Sequence, residues 1–368
     1  MYSENDLRDA VAAGAISAEA ADALRAHVAG ARTMPMTDEE TFRLVNSFND
    51  IFVTIAAVLL FFAMGGIGDA LMPVAEGPSP LAGLLVAVSA WLLAEPFTRQ
   101  RRMALPSIVL LAAFVGGVFA TLLGVIIPRF GITDGSVPLK DVDEVRLVLF
   151  SLVAGAALVT AGAAWLHWRR FKVPITIAAG TAALVAMLIS IVLAAIDAPT
   201  DEAVKAVILP LIFAAGLGVF AYAMRWDISD RTRETRRSDV AFWLHLLAAP
   251  MIAHPLFNWL GVTGGSNIGP GSAAGVLVIY VAMALVALAV DRRALLVSAL
   301  AYVLIALTWL FDEFGAVELN VALTALVIGS ALLTLSAFWT PIRSALVVKL
   351  PAALQTRLPI SGRLAPAA

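Results

Sequence analysis

The chain has 368 residues, 61% of them hydrophobic and only 14% charged, where a soluble domain carries about 25% charged residues. That balance excludes an ordinary soluble globular protein and points to a polytopic membrane protein. The chain has no cysteine, which excludes disulfides and thiolate metal sites, and a formal net charge of −2 hides a strong segregation of charge along its length.

The first 50 residues are expected to be a cytosolic preface. The opening MYSENDLRDA lacks the basic start and apolar middle of a cleavable signal. Ser3 to Asp6 reads as a capping-box variant ahead of Leu7 and Val11, and Gly14 stops that helix. Ser17 then caps a second helix carrying Ala20, Leu24 and Val28 on one face up to Gly30. The result is a helical hairpin. Residues 1–50 hold nine acidic residues against four arginines, and a surface that acidic repels phosphate, so nucleic acid is not an expected partner. The stretch TDEETFRLVNSFND reads as an amphipathic helix leading into the membrane.

Ten apolar runs follow, near 51–72, 80–97, 104–127, 146–167, 173–196, 205–224, 240–260, 273–290, 294–311 and 319–339. Each is about long enough to cross a hydrocarbon core of about 30 Å. The intervening loops alternate in charge. TRQRRM, WRRFK, RWDISDRTRETRRSD and DRR follow the second, fourth, sixth and eighth runs. The first 50 residues, these loops and the tail hold 21 of the 25 Lys and Arg. By the positive-inside rule that places both termini in the cytoplasm. Trp165, Trp168, Trp226, Trp243 and Trp339 fall near the inner ends of spans, and Trp259 and Trp309 near outer ends, where an indole is at home.

The inside loops share a plan, an apolar helix, a basic knot and another apolar helix, which topology alone can produce. Ten spans also permit an inverted 5+5 repeat, with Gly65–Gly66 and Gly216/Gly218 marking corresponding first spans as candidate broken helices. Glycine that merely allows close packing is the other reading.

One run carries polar residues in depth: FWLHLLAAPMIAHPLFNW, residues 242–259. His245 and His254 are nine residues apart, so a straight helix points them to opposite sides and they cannot chelate one ion together. Pro250 and Pro255 free backbone carbonyls and are expected to kink or partly unwind the helix. Pro250, His254 and Asn258 share one face. That stripe could line a polar cavity with His254 handling a proton. It could equally be a set of groups satisfied at a kink. Glu95, four residues before Arg99, reads as an interfacial ion pair. Asp69, Asp197, Asp312 and Glu313 fall at outer ends and are expected to be solvated. The spans are expected to be nearly free of deep charge. GVTGGSNIGPGS lacks the Gly-Lys-Ser/Thr of a phosphate loop, and no catalytic triad order or zinc-protease signature occurs, so no enzymatic activity, metal or cofactor is expected.

LRDAVAAGAISAEAADALRAHV, followed by many short-looped spans, resembles a group of uncharacterised bacterial multi-pass membrane proteins with a short N-terminal helical hairpin. The resemblance covers residues 7–28 and the general hydropathy, and it implies no functional residue. The expected architecture is an all-α polytopic transmembrane helix bundle of about ten spans, N-in and C-in, in the bacterial inner (plasma) membrane. Residues 1–50 form the acidic hairpin and linker, 51–340 the membrane domain and 341–368 a basic cytosolic tail. Two functional readings stand. The first is a small-molecule transporter or permease-like protein with His245, Pro250, His254 and Asn258 lining its pathway. The second is a membrane sensor or scaffold. There the hairpin binds a protein partner, or the basic loop after the sixth span binds a partner or anionic lipid headgroups.

Overall fold

The computed structural model describes residues 10–24, 48–75, 77–129, 142–196, 201–233, 235–262, 269–313 and 320–359. The capping box at Ser3–Asp6, the segment 37–47, Asp197 and residues 263–268 of the glycine-rich stretch lie outside them. The described residues are helices and turns, with no strand among them. The chain divides into two units, one holding the described residues 10–24 and the other residues 48–359.

In the first unit the hairpin corner forms as its residues dictate. Gly14 turns with φ +67°, and its N–H donates to the Val11 carbonyl. The Ser17 hydroxyl accepts from the Ala20 N–H at 3.1 Å, an N-cap for the helix that follows.

In the second unit every apolar run is a helix. These are α1 (Phe48–Leu71), α2 (Pro80–Ala94), α3 (Ala104–Ile126), α4 (Val142–Phe171), α5 (Ile175–Ala195), α6 (Asp201–Ile228), α7 (Arg236–Trp259), α8 (Pro270–Val290), α9 (Ala294–Glu313) and α10 (Asn320–Ala337). Two short helices follow, α11 (Trp339–Val347) and α12 (Ala352–Gln355). Among the described residues eight helices, α1 to α8, are long and apolar enough to cross a membrane. A ninth is added if α10 and α11, bent by 71°, count as one broken span. This is a multi-pass, all-α membrane protein. Helices suit that setting because they satisfy their own backbone groups where water is absent.

Sequential helices pair as hairpins, α2 with α3, α4 with α5, α6 with α7 and α8 with α9. Their basic turns are alike in backbone. Each holds one non-glycine residue in the left-handed region: Arg102 (φ 53°), Lys172 (φ 55°), Arg233 (φ 58°) and Asp291 (φ 62°), with no other such residue among those described. The four turns lie at one end of the bundle. Arg170 Nε donates to Glu95 Oε1 at 2.8 Å and so joins the first two. Arg233 joins the last two through Asp291. Ala178, at the start of α5, packs with Val240 and Leu244, at the start of α7. The charge alternation read in the loops thus has a geometric counterpart. Glu95 and Arg99 are paired at 3.3 Å, as their spacing suggests, within a π-turn (Glu95–Gln100) that ends α2.

Small residues set the closest packing. A methyl group on Gly117 would lie 2.7 Å from the Gly83 carbonyl oxygen, so α2 and α3 touch backbone to backbone. Gly216 on α6 plays the same part against Met251 and Ile252 of α7. Both α1 and α6 run unbroken through their glycines. The broken-helix pointer to an inverted repeat is therefore absent, and Gly216 is a packing residue. Helix α7 likewise continues through Pro250 and Pro255 without unwinding.

Asp50, Asp227 and Arg292, each just outside a run read as a span, are almost wholly buried. One expectation is corrected. Trp339 is 1% exposed and is not an interfacial anchor. Residues 341–359, within the segment expected as a basic tail, pack back against the bundle, where Val347 and Leu358 meet Val290, Phe220 and Met224.

Candidate functional site

The turn between α6 and α7 builds the site. Asp230 Oδ2 accepts from the Thr235 N–H at 3.0 Å and from its hydroxyl at 2.7 Å. Thr235 in turn caps α7, accepting from the Arg237 N–H. This tight turn sets α6 and α7 antiparallel, with the last turn of α6 facing the third turn of α7. Asp227 and His245 meet there. His245 Nε2 lies 2.9 Å from Asp227 Oδ2, and both side chains are 0% exposed. A carboxylate only accepts, so Nε2 is the donor. Nδ1 has no hydrogen-bond partner. The Phe220 ring packs edge-on against the imidazole at 5.1 Å.

Arg292 completes the cluster from the turn between α8 and α9. Its guanidinium is paired with both Asp227 oxygens, through Nη2 to Oδ1 and Nε to Oδ2. Nη2 also donates to the Ser238 carbonyl at 3.0 Å. The placement follows from how α8 ends. Asp291 adopts the left-handed conformation and the Arg292 N–H reaches back to the Ala287 carbonyl at 2.9 Å, a Schellman-type stop. That stop turns the Arg292 side chain inward.

A second tier surrounds Asp291. Arg233 Nη1 donates to Asp291 Oδ2 at 2.9 Å, while its Nη2 donates to the Val290 and Asp291 carbonyls. Trp339 Nε1 donates to Asp291 Oδ1 at 2.7 Å. Arg343 Nε lies 3.6 Å from that same oxygen. Burial lowers the Arg233 pKa from its ordinary value, and the nearby Arg292 charge adds to this, against Asp291 and Asp227. Farther out, Arg231 Nε donates to the Leu358 carbonyl at 2.8 Å and Arg343 Nη2 to the Pro359 carbonyl at 2.8 Å. Two carboxylates and four guanidiniums thus lock α6, α7, the α8–α9 turn, α11 and the following tail together at the basic end. The loop expected as a free basic docking segment spends Arg231 and Arg233 on these internal bonds.

Of the four residues singled out in sequence, only His245 belongs to the cluster. Pro250 and His254 are exposed on the outer surface of α7, and Asn258 is half-buried. His254 Nδ1 lies 2.7 Å from the Tyr302 hydroxyl of α9, and the Tyr302 ring stacks on Phe257 at 4.4 Å. The helical spacing keeps the two histidines apart, as expected. Two grooves are formed by described residues alone. One of about 420 Å³ lies between α4 and α5, bordered by Ser151, Gly155 and Met187. One of about 280 Å³ is bordered by Phe220, Ile252 and Met283. Neither contains Pro250, His254 or Asn258. Among the described residues no group of His, Asp and Glu is placed to hold a metal ion.

Sequence reasoning missed Asp227, Arg292, Asp291, Arg233 and Trp339. The signal was the presence of acids inside loops that are otherwise basic. A second buried histidine, His167, bonds Thr176 Oγ1 at 3.2 Å and sits among Trp91, Phe114 and Phe171. No family model matches the chain, and no curated protein or solved structure is significantly similar to it.

Proposed function

We propose that this protein is a small-molecule transporter or permease-like protein whose basic end is closed by the Asp227–His245–Arg292 cluster. In this reading all ten helices α1 to α10 cross the bacterial inner membrane, with both termini in the cytoplasm, and the likeness to multi-pass bacterial membrane proteins is one of kinship. The observation that carries it is a carboxylate on α6, an imidazole on α7 and a guanidinium in the α8–α9 turn, each no more than 2% exposed, at the basic end of the bundle. Such a buried ionic set contributes little stability over apolar side chains of the same volume. Ionisable groups buried within a membrane bundle mark pathways and gates. Every bond of the cluster has a side chain as donor, the Arg292 bond to the Ser238 carbonyl included, so it can open without breaking a helix. No catalytic step, cofactor or nucleic acid enters this reading. The partners are the bilayer and a small polar solute.

The test uses single cysteines, which need no background removal. Cysteine replaces His254, Asn258 or Ala248 (0% exposed) in proteoliposomes, and each is probed with a membrane-impermeant thiol reagent from either side. Transport predicts labelling of 254 and 258 from the outside, with Val278, 68% exposed on α8, protected by lipid. It also predicts labelling of 248 from the cytoplasmic side once Arg292→Gln opens the cluster. Protection of all three in both backgrounds, with the protein still monodisperse, would sink the transport reading.

A second reading, a membrane sensor or scaffold without transport, is favoured by the capped hairpin at 10–24. It belongs to a unit separate from the helices and would bind a protein partner. It becomes the preferred account if the cysteines stay dry.

A further inference from the structure

Helix α11 leaves α10 at 71°. The inference rests on the ten-span reading above: where α10 crosses the membrane, a helix bent this sharply out of it runs closer to the membrane plane than to its normal. Its two long faces differ. Trp339, Arg343 and Val347, spaced by four, are buried against the bundle. At about 100° per residue the opposite face carries Pro341, Ile342, Ala345 and Val348, and Phe338 at the bend joins it. These are exposed, Phe338 at 56%, Ile342 at 38% and Val348 at 76%. Thr340 and Ser344 make a polar flank between the two faces. The only arginine of the helix points inward to Asp291, and the outward face is apolar.

We infer that α11 is an interfacial helix, with the Phe338–Ile342–Val348 face seated in the headgroup–acyl boundary of the leaflet at the basic end. Three observations favour lipid over protein as the occupant. Leu326 at 66% and Leu333 at 74% on α10 are exposed and apolar, as Phe338 is at the bend, so apolar side chains face outward on both sides of it. Lys349 is exposed beside this face, where an ammonium reaches the phosphates while its stem stays apolar. The polar flank gives the helix the amphipathic section that interfacial helices have, seated about 5–10 Å into the boundary. The inward face meanwhile holds Asp291 through Trp339 and Arg343, so the lipid-seated helix is also a wall of the ionic cluster.

The test is depth-resolved fluorescence. Ile342→Cys, Val348→Cys and Phe338→Cys, each at an exposed position, are labelled with an environment-sensitive dye in the full-length protein. Each is reconstituted in vesicles of phosphatidylethanolamine and phosphatidylglycerol, with Thr356→Cys as the water-exposed comparison. The expected result is blue-shifted emission at 338, 342 and 348. Quenching there should be severalfold stronger by lipids spin-labelled high on the acyl chain than by aqueous iodide, and the order reversed at 356. Iodide quenching at 342 and 348 without lipid quenching would overturn the inference, because the face would be in water. Protection from both quenchers would overturn it as well, since a second copy of the chain or another protein would then cover the face. Neither readout depends on whether the protein transports anything.

Discussion

At the residue scale the protein turns on which charges it buries. Arg292 neutralises Asp227 across 65 residues of sequence, and His245 shares the same carboxylate. Removing one charge strands the other in an apolar setting. Arg292→Leu is expected to lower stability by about 3–5 kcal/mol, and the Asp227→Leu, Arg292→Leu pair to recover most of that. Thermal midpoints in detergent measure both. A double variant no better than the single one would mean that the cluster is held by something other than mutual neutralisation. Trp339→Phe deletes the donor to Asp291 and leaves part of the buried indole's volume empty. It is expected to cost more than the about 1 kcal/mol of the hydrogen bond, with Arg233 and Arg343 still on the carboxylate. His245 was legible in the sequence because a histidine in an apolar run stands out. Asp227 was not, because it sits in the same string as five arginines and reads as loop. Only the packing of Ser238 and Arg292 against it reveals that it is buried.

Helices and turns are the next scale. The α2–α3 contact leaves no room at Gly117, where even a methyl would meet the Gly83 carbonyl. Gly117→Leu is expected to destabilise by about 1–3 kcal/mol, read as a lower thermal midpoint, while the same change at Gly116, which faces open space, is expected to be nearly neutral. The left-handed residue in each basic turn makes a converse prediction. Arg102 is exposed with φ 53°, so Arg102→Gly relieves strain and should raise stability by up to about 1 kcal/mol, and Arg102→Val should lower it by at least as much. Equal midpoints for the two would show that the turn relaxes to another conformation. The existence of the helices was readable from run length. Their fine structure was not. Two prolines pointed to a kink or partial unwinding in α7 and the helix does not unwind, while a 71° bend came at Phe338, inside what read as the end of a single span. Proline removes one hydrogen bond, and a helix in lipid retains the rest.

At the scale of the whole molecule the number of crossings fixes the side on which each turn lies. The ten-span reading predicts that cysteines at Thr232 and Thr356 react from the cytoplasmic side only, and cysteine at Glu202 from the opposite side only. Reaction of all three from one side would remove it. The sequence by itself determined that this is an all-helical membrane protein and that its basic turns gather at one end. Both follow from solvation, a property of each segment alone: an apolar run in lipid must close its own backbone hydrogen bonds, and arginine is costly to carry across. Only the tertiary structure decided which of those arginines stay in solvent and which are drawn inside. That choice depends on whether a carboxylate stands opposite on another helix. Here Asp227 and Asp291 do, joining residues 18, 48, 58 and 65 positions apart. A pairing of that kind is a property of the packed bundle, and no local pattern in the chain carries it.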